Sequence, residues 1–522
     1  MKILTAAQMQ RIDRLTTERY GILSLTLMEN TGQRVVEFLA ERYAPIDRQR
    51  ITILCGRGNN GGDGLVVARL LRGLGLSPRV VLFGDPAKIR GDASANLERY
   101  KSYWPVSVVQ TIEEWEQLKP EIADTTLFVD AMLGTGLARP LEGLILKVVE
   151  DLNAASATSK VVAVDLPTGL SADSSRLIGE CVRVKASVTF TAPKHAHVFP
   201  PACEWVGEWL VRGIGTPEEL LEGDPDLFLN LTRPEDLAWL NQPRPLDSHK
   251  GSFGHVLVIA GSVGKTGAAA MAAKAVLRAG AGLVTIATPC SALSTVACFG
   301  MEFMTEPLPE TDAGTISLEA LKGGVLARVL EGKTVVAMGP GLGNHPETAE
   351  FVRRVVDEIE LPVVIDADGL NAFAGHVDRI QSCGRTRILT PHPGEMSRLT
   401  GLETREIQDR RIDVAREFAT SHRVVLVLKG SRTLIAAPNG RVAVNPTGNP
   451  GMATGGTGDC LTGLTAGLLA QFRSRPAEDV AAAAVYVHGL AGDVAAGRQG
   501  QASMLAGDLL DAISEAFRQL AQ

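Results

Sequence analysis

A glycine-rich segment in the last quarter of the chain carries the strongest chemical signal. It reads NPTGNPGMATGGTGDCLTG from Asn445 to Gly463 and runs into an apolar stretch that predicts a helix. Backbone N–H groups at such a helix start form an anion-binding hole. Asp459, at the mouth of this helix, could accept the hydroxyl proton of an alcohol that attacks a bound phosphoryl group. The alternative is that Asp459 only caps the helix.

A second glycine cluster, GRGNNGGDG over residues 56–64, follows an apolar run in the first half. Three of its glycines have the spacing G-x-G-x-x-G, and Asp85 ends the next predicted strand, so a dinucleotide-binding turn is one interpretation. These glycines are Gly56, Gly58 and Gly61. The turn also carries Asn59, Asn60 and Asp63, whose side-chain oxygens could bind ribose, an amide or a hard cation.

Three more oxygen-bearing side chains follow predicted strands of the first half, namely Asp130, Asp165 and Thr168. The carboxyl ends of parallel strands face one crevice, so we expect these side chains to meet Asn60 there. The alternative is a set of Asx turns and helix caps. Asp165 is the candidate acid–base group, because proton transfer needs a side chain within hydrogen-bond reach. Lys194 follows the strand SVTFTAP, and we expect a solvated surface lysine rather than a substrate contact.

Other motifs of the second half give weaker signals. GSVGKTG, residues 261–267, is not a P-loop, because Ile259 stands where the first glycine of that motif is required. His392 lies in TPHPGE at a predicted strand end, and we expect it to contact a ligand rather than to be purely structural. Asp366 and Asp368 end another strand, where they either help to arrange Mg²⁺ or cap the next helix.

Short apolar runs alternate with helical patterns along the chain, which predicts α/β domains with parallel sheets. The predicted strands are 51–55, 79–84, 126–133, 160–167, 255–261, 282–288, 334–341, 361–369, 386–394 and 424–431. A helical region opens with capping-box spacing at Thr5 and Gln8 and continues to about Tyr43. An acidic, proline-containing stretch interrupts the rhythm, so we place domains at 1–224 and 225–522.

Composition restricts the class of protein. Of 522 residues, 45% are hydrophobic and 21% charged, as in soluble globular proteins. With a net charge of −7, the chain lacks the excess of basic residues that is typical of nucleic-acid-binding proteins. Seven scattered cysteines without a C-x-x-C pair predict buried thiols in a reducing cytosol. We find no signal peptide and no apolar stretch of about 18 residues, so we expect a cytoplasmic protein with no membrane partner.

The motifs GRGNNGGDG, FVDAMLGTGL and AVDLPTGLSAD closely resemble the epimerase domain of the NAD(P)H-hydrate repair enzymes, over most of residues 1–220. The resemblance implies a Rossmann-like three-layer domain that binds K⁺ through Asn60, Asp130 and Thr168, although many relatives have Ser where Thr168 stands. It also implies that the hydrated nucleotide contacts Asn59, Asn60, Gly61, Gly62, Asp63, Gly134, Thr135, Gly136, Leu137, Ala138, Arg139, Pro140 and Asp165.

The segments HKGSFGHVLVIAGS, MGPGLGN, VVIDADGLN, LTPHPGEMSRL, LVLKGSRTLI and GNPGMATGGTGD resemble the NAD(P)H-hydrate dehydratases over roughly 235–520. The resemblance implies a ribokinase-like α/β domain that uses ADP and Mg²⁺. The implied contacts of the hydrate are Ala268, Gly341, His392 and Asp459. The implied contacts of ADP are Lys429, Gly430, Ser431, Arg432, Thr433, Asn449, Gly451, Gly455, Gly456, Thr457 and Gly458. Lys265-Thr266 departs from the Met-Pro that relatives often show.

Both resemblances point to hydrated NADH and NADPH (NADHX and NADPHX). They imply an enzyme that interconverts the R and S epimers in its first domain and dehydrates the S epimer with ADP in its second, releasing AMP and phosphate. We expect a homo-oligomer with no nucleic-acid partner. Three alternatives stay open: a vitamin or sugar kinase with an N-terminal nucleotide-binding module, an NAD-dependent oxidoreductase, and a first domain that only binds nucleotide or serves as a scaffold.

Overall fold

The computed structural model describes residues 1–155 and 159–521. The chain forms two compact units, Met1–Phe228 and Leu229–Gln522. Each unit is built on a largely parallel sheet. The predicted α/β class is therefore confirmed.

The first unit contains a seven-stranded parallel sheet. Its strands are β1 (Ile51–Cys55), β2 (Arg79–Phe83), β3 (Ser107–Val109), β4 (Leu127–Ala131), β5 (Lys160–Val164), β6 (Ala186–Phe190) and β7 (Glu208–Arg212). They run in the order β3-β2-β1-β4-β5-β6-β7. The order reverses between β1 and β4, and ligands of doubly wound sheets bind at such a point.

Helices cover both faces of this sheet. They are α1 (Ala6–Tyr20), α2 (Ser24–Arg42), α3 (Asn59–Gly73), α4 (Gly91–Lys101), α5 (Ile112–Leu118), α6 (Gly143–Ala155), α7 (His195–Val198) and α8 (Glu219–Glu222). Alternate residues of β1 belong to different cores: Ile53 packs with residues of α2, α3 and α4, whereas Leu54 packs with residues of α5 and α6. This arrangement is the predicted three-layer, Rossmann-like domain.

The N-terminal helical region is split. The predicted capping box is present, because Thr5 Oγ1 accepts a bond from Gln8 N and the Gln8 side chain accepts one from Thr5 N. Gly21, at φ +71°, ends the first helix in the left-handed conformation, which glycine adopts without strain. The pattern that predicted helix to about Tyr43 is thus divided between α1 and α2.

The second unit contains a ten-stranded sheet. Its strands are β8 (Leu229–Leu231), β9 (His255–Ile259), β10 (Leu283–Pro289), β11 (Met304–Leu308), β12 (Val335–Met338), β13 (Val363–Ile365), β14 (Arg387–Leu389), β15 (Val425–Leu428), β16 (Leu434–Ala436) and β17 (Val442–Val444). They run in the order β11-β10-β9-β12-β13-β14-β15-β16-β17-β8. Only β16 runs antiparallel to its neighbours. The order reverses between β9 and β12.

The helices of the second unit pack closely around this sheet. They are α9 (Thr266–Arg278), α10 (Leu293–Ala297), α11 (Val325–Leu330), α12 (Pro346–Glu358), α13 (Ala367–Asn371), α14 (Pro393–Thr400), α15 (Thr404–Asp409), α16 (Arg411–His422), α17 (Thr457–Gln471), α18 (Ala477–Gln499) and α19 (Ala506–Leu520). The small residues of α9 let α17 approach its backbone: a Cβ at Gly463 would lie 1.9 Å from Ala272 O. Close packing therefore explains this small-residue helix.

The expectation that no segment is long and apolar enough to span a membrane is wrong for helix α18. By length and composition it passes that test. However, 72% of its most apolar 18-residue window is buried inside the protein. A core helix of a large domain has the same composition, because it is apolar on all sides.

All seven cysteines are free thiols. Cys55, Cys181 and Cys460 are buried, and Cys203 is partly buried. The prediction of buried thiols is wrong for the remaining three, which are exposed: Cys290, Cys298 and Cys383. These three lie in or beside irregular connections at the surface rather than in strands or long helices.

Candidate functional sites

The first unit contains a cavity of about 460 Å³ beside the carboxyl ends of β1, β4 and β5. Eight of the predicted contacts of the hydrate line it: Asn59, Asn60, Asp63, Gly134, Thr135, Gly136, Leu137 and Asp165. Gly61 and Gly62 are buried in the same turn, at the start of α3. Ala138, Arg139 and Pro140 are exposed and lie outside the residues that line the cavity.

Two glycines allow the turn to fold. A Cβ at Gly56 would lie 1.8 Å from Met132 O, and a Cβ at Gly61 would lie 1.9 Å from Gly56 O. The glycine spacing thus reflects close approach of backbone to backbone.

Asp85 caps its own turn by accepting a bond from Ala87 N at 2.9 Å, and the residues that line the cavity do not include it. The observation that favoured a dinucleotide oxidoreductase is therefore lost.

Asp165 and Lys194 form an ion pair in the cavity wall. Lys194 Nζ lies 2.5 Å from Asp165 Oδ1, and Thr189 Oγ1 donates to the same oxygen at 2.7 Å. The prediction that Lys194 is a solvated surface lysine is wrong, because only 1% of its side chain is exposed. Burial raises the pKa of Asp165, but attraction by Lys194 and the hydrogen bonds outweigh it, so the net pKa is lowered.

The backbone around Asp165 is held by a buried histidine. His197 Nδ1 accepts a bond from Lys194 N at 3.1 Å, so Nε2 carries the proton that it donates to Asp165 O at 3.0 Å. Burial lowers the pKa of His197 to about 4, which keeps this ring neutral. Asp165 itself has φ +65°. A left-handed conformation costs a non-glycine residue about 1–3 kcal/mol and is concentrated at functional sites.

Asp130 and Thr168 meet beside the cavity, as expected from their positions at strand ends, and Leu133 N of the cavity wall donates to Thr168 Oγ1 at 3.0 Å. Asn60 lies in the cavity wall itself, and the expectation that it meets the other two stays a prediction. Thr168 donates to Asp130 through its hydroxyl at 2.7 Å and through its backbone N–H at 2.8 Å. All three side chains are buried, and Asn60 Nδ2 has no hydrogen-bond partner. Burial raises the pKa of Asp130 to about 6 despite the bonds from Thr168. The cluster has oxygen ligands suited to a hard cation.

Sequence reasoning missed Asp13, which α1 brings into the cavity wall beside Asp63 and Asp165. Burial raises the pKa of Asp13 to about 6, attraction by Lys194 lowers it, and repulsion by Asp165 raises it. Burial together with repulsion from Asp165 and Asp13 also raises the pKa of Asp63 well above its usual value. No sequence signal marked Asp13, because an acid on an amphipathic helix ordinarily faces water.

In the second unit, the glycine-rich segment leads into α17 and is tied to the core helix α18. Asp493 accepts bonds from Gly448 N and Asn449 Nδ2, both at 2.9 Å. His488 Nε2 donates to Thr457 O at 2.8 Å, since a carbonyl can only accept. Gly456 precedes the helix at φ +95°. The first N–H groups of α17 have no partner within the helix and are thus available to an anion.

Asp459 lies in the first turn of α17 rather than at its cap. Burial raises its pKa to about 7, repulsion by Asp366 adds to this, and attraction by Lys429 opposes it. Asp366 caps no helix with its side chain. It pairs with Lys429 Nζ at 2.7 Å and accepts a bond from Thr462 Oγ1 at 2.6 Å. The carboxyl group of Asp459, whose pKa lies near neutral pH, is therefore suited to general-base chemistry.

Ala268 and Gly341, two further predicted contacts of the hydrate, lie together. A Cβ at Gly341 would stand 3.1 Å from Ala268 Cβ. Asp368 supports the loop after β12 by accepting a bond from Gly343 N at 2.8 Å. Lys265 Nζ lies 3.1 Å from the same carboxylate, so the residue that departs from the family pattern has a defined partner.

His392 is half-exposed and caps α14. Its Nδ1 accepts bonds from Gly394 N and Glu395 N, while Glu395 Oε2 accepts one from His392 N. His392 therefore has a structural role as the cap of α14, and its predicted contact with a ligand stays a prediction. Burial lowers the pKa of His392, although the Glu395 carboxylate opposes this.

The predicted ADP contacts lie in two segments at the carboxyl edge of the sheet. Lys429, Gly430, Ser431, Arg432 and Thr433 follow β15, and Asn449, Gly451, Gly455, Gly456, Thr457 and Gly458 lead into α17. The segments meet, because a Cβ at Gly458 would lie 3.5 Å from Lys429 Nζ. Arg411 supports the first segment by donating to Ser431 O at 2.7 Å.

Two α/β units, each with a buried carboxyl group beside a glycine turn, give the chain two candidate sites of the kind found in nucleotide-binding enzymes. A profile described as NAD(P)H-hydrate dehydratase matches residues 256–515, and one described as YjeF-related protein N-terminus matches residues 24–196. The bifunctional NAD(P)H-hydrate repair enzyme of Moorella thermoacetica is 43% identical over 100% of this chain and 97% of its own length. This chain belongs to the family of bifunctional NAD(P)H-hydrate repair enzymes.

Other relatives agree. The bifunctional repair enzyme of Thermofilum pendens is 39% identical over 100% of this chain and 97% of its own length. A solved structure of the ADP/ATP-dependent NAD(P)H-hydrate dehydratase of Bacillus subtilis, crystallised with ATP and Mg²⁺, is 30% identical. It covers 56% of this chain and 98% of its own, with a TM-score of 0.48. The two full-length repair enzymes confirm the family prediction, and the alternative of a vitamin or sugar kinase is not favoured.

Proposed function

We propose that this chain repairs hydrated NADH and NADPH, with an epimerase domain at 1–224 and a dehydratase domain at 225–522. The observation that carries the proposal is identity of 43% to a bifunctional repair enzyme over the full chain. Each domain then has its own task. The first interconverts the R and S hydrates, and the second removes water from the S epimer.

Dehydration requires activation of the hydroxyl group at C6 of the hydrated ring, because hydroxide is a poor leaving group. Asp459 takes the hydroxyl proton, and the oxygen then attacks the terminal phosphoryl group of the nucleotide. The C6–O bond of the phosphate ester then breaks, and its electron pair leaves with inorganic phosphate. C5 loses a proton to solvent, and the electron pair of that C–H bond restores the double bond of the ring. With ADP as the donor, the other product is AMP. The pKa of about 7 at Asp459 supports a base that works near neutral pH.

The nucleotide is proposed to lie between the segment 429–433 and the start of α17. The N–H groups of that helix turn and Lys429 would bind its phosphates. The residues present also fit Mg²⁺, because Asp366 and Asp368 both raise the pKa of Asp459, a sign of excess negative charge. When bound, Mg²⁺ would neutralise charge on the transferred phosphoryl group. Asp366 and Asp368 are the carboxylates that would hold it, partly through the nucleotide's phosphates.

Potassium is proposed to bind Asn60, Asp130 and Thr168 in the first domain. The fit rests on two buried oxygen-bearing groups, the Asp130 carboxyl group, whose pKa is raised to about 6, and the Thr168 hydroxyl group that bonds it at 2.7 Å. A cation among these oxygens would offset the cost of burying the charge of Asp130. A cation bound there would help to order the turn that contains Asn60 and the 134–137 segment.

Epimerisation is proposed to depend on Asp165. Its carboxylate is kept ionised by Lys194 and lies in the cavity wall, where it can accept a proton during inversion at C6.

A cytoplasmic location and a homo-oligomeric state stay predictions. Cell fractionation and light scattering on the purified protein test them.

The central experiment mixes the protein with chemically prepared NADH hydrate and follows the return of reduced-nicotinamide absorbance. Recovery should require ADP or ATP and should fall at least about 100-fold in Asp459→Asn. Asp511→Asn, an exposed carboxylate on α19, serves as the matched control. A failure of the unmodified protein to restore absorbance with either nucleotide would contradict the proposal. A stable phosphorylated product would instead indicate a kinase.

A further inference from the structure

Asp13 is partly buried, and one of its carboxyl oxygens, Oδ1, is enclosed without a hydrogen-bond partner. Helix α1 carries it into the wall of the 460 Å³ cavity, together with Met9 and Gln10. Within residues 1–155 and 159–521, Asp13 Oδ1 is the one buried carboxyl oxygen that has no partner. Burying a polar group without a hydrogen bond is unfavourable. A residue that is kept in such a position needs a reason other than stability.

Helix α1 holds Asp13 in a fixed place. Leu4 N donates to Pro193 O at 2.9 Å, immediately before Lys194 in the chain. Ala6 N donates to Asp173 Oδ1 at 2.6 Å. The start of the helix is therefore anchored to the segment that supplies Lys194, and a rigid element positions a side chain better than a loop does.

Asp13 and Asp165 differ in what surrounds them. Asp165 has Lys194 and Thr189 as partners and a lowered pKa, so it is ionised. The pKa of Asp13 is raised to about 6, chiefly by burial, with Lys194 lowering it and Asp165 raising it. Asp63 also faces the group from α3. Two carboxyl groups in one cavity whose pKa values are pushed apart are the usual sign of an acid and a base.

We propose that Asp13 is a catalytic residue of epimerisation, the proton donor that works with Asp165 as acceptor. This inference rests on the proposed function. The Asp13 carboxyl group gives its proton to the C6 hydroxyl, the C6–O bond breaks, and its electron pair leaves with the oxygen as water. The lone pair of the ring nitrogen forms a double bond to C6. Water then adds to the other face of C6, and Asp165 takes its proton.

The step is balanced, because one proton passes from Asp13 to Asp165 and one water molecule leaves and returns. The reverse direction uses the same two groups with their roles exchanged. Exchange with solvent restores the starting protonation of both carboxyl groups. Oxidant, reductant and nucleotide are not needed, which separates this reaction from the dehydration.

The experiment measures R-to-S conversion by the full chain, with S-hydrate dehydration in the same sample as the internal reference. Asp13→Asn and Asp13→Ser should lower kcat for epimer conversion by about 100-fold or more, with KM changed less than threefold. Dehydration of pure S hydrate should stay at the wild-type rate. Glu18→Gln, an exposed acid on the same helix, is the matched control.

The pH profile separates a catalytic from a structural role. After subtraction of the uncatalysed rate, wild-type kcat/KM for epimer conversion should show a limb near pH 6 that Asp13→Asn lacks. Conversion within threefold of wild type in both variants, or an unchanged limb near pH 6, would overturn the assignment to Asp13. Absence of epimer conversion in the wild-type protein would instead contradict the proposed function.

Discussion

Lys194 Nζ lies 2.5 Å from Asp165 Oδ1, and the lysine side chain is almost completely buried. The lysine is thus the counter-ion that keeps this carboxylate ionised inside the cavity wall. Thr189 Oγ1 lies within hydrogen-bond reach of both groups. The three side chains form one unit, so removing one member changes the charge of the others.

We expect Lys194→Met to destabilise the first unit by about 3–5 kcal/mol, because it leaves Asp165 buried without its partner. The pKa of Asp165 should rise, and epimer conversion should fall at least about 100-fold. Urea unfolding and the epimer assay measure the two effects. Lys185→Met, at an exposed position of the same unit, is the control.

The double variant Lys194→Met/Asp165→Asn tests the pairing itself. It should recover at least half of the lost stability, because no buried charge is left, while epimer conversion stays low. Simple addition of the two single-variant losses would contradict a coupled ion pair.

Gly458→Ala should separate stability from nucleotide binding. A Cβ there would make only ordinary contacts, 3.5 Å from Lys429 Nζ and 3.7 Å from Asp366 Oδ2. Helix propensity should raise stability by up to about 1 kcal/mol, whereas the methyl group would occupy the proposed phosphate site and weaken ADP binding at least about tenfold. Thermal unfolding and calorimetric titration with ADP measure these effects.

Gly463→Ala is the matched comparison on the same helix. Its Cβ would lie 1.9 Å from Ala272 O, so this variant should unfold at a markedly lower temperature. Equal ADP affinity in Gly458→Ala and wild type would count against the proposed phosphate site.

His488 should make the second unit less stable in acid. Burial lowers its pKa to about 4, so the native ring stays neutral while the unfolded ring binds a proton below about pH 6.5. Stability is therefore lost as pH falls from 6.5 towards 4, and the loss from pH 7 to pH 5 is about 2 kcal/mol. Urea unfolding at both pH values should show a smaller loss in His488→Gln, by that amount. An identical loss would contradict a neutral His488.

Potassium should stabilise the first unit if it binds as proposed. Thermal unfolding at constant ionic strength, with NaCl replaced by KCl, should show a higher Tm in KCl. Thr168→Val removes the hydroxyl group that bonds Asp130 at 2.7 Å, and its Tm should not respond to K⁺. An equal response in the variant would exclude Thr168 as a ligand.

Local sequence signals predicted the glycine turns and Asp459 because backbone approach and helix starts depend on neighbouring residues. The same holds for the main parallel strands, which are continuous apolar runs. The short strands β3, β8, β16 and β17 were missed, since three residues with no longer apolar run around them have no periodicity to detect. The five-residue strands β7 and β11 were missed as well, because both are largely half-exposed and do not form continuous apolar runs. Local sequence also does not indicate which charged residues the tertiary structure buries. Nothing near Lys194 or Asp13 in the sequence distinguishes them from exposed charged residues.

Helix α18 is buried along most of its length, and three of its residues, Tyr486, His488 and Asp493, bond the glycine-rich segment. Nucleotide bound to that segment would therefore also restrain the helix behind it. Local opening of α18 and release of the ligand then become one thermodynamic event. Slowed amide hydrogen exchange deep in the core, far from any exposed surface, is the signature that such a bound state would leave.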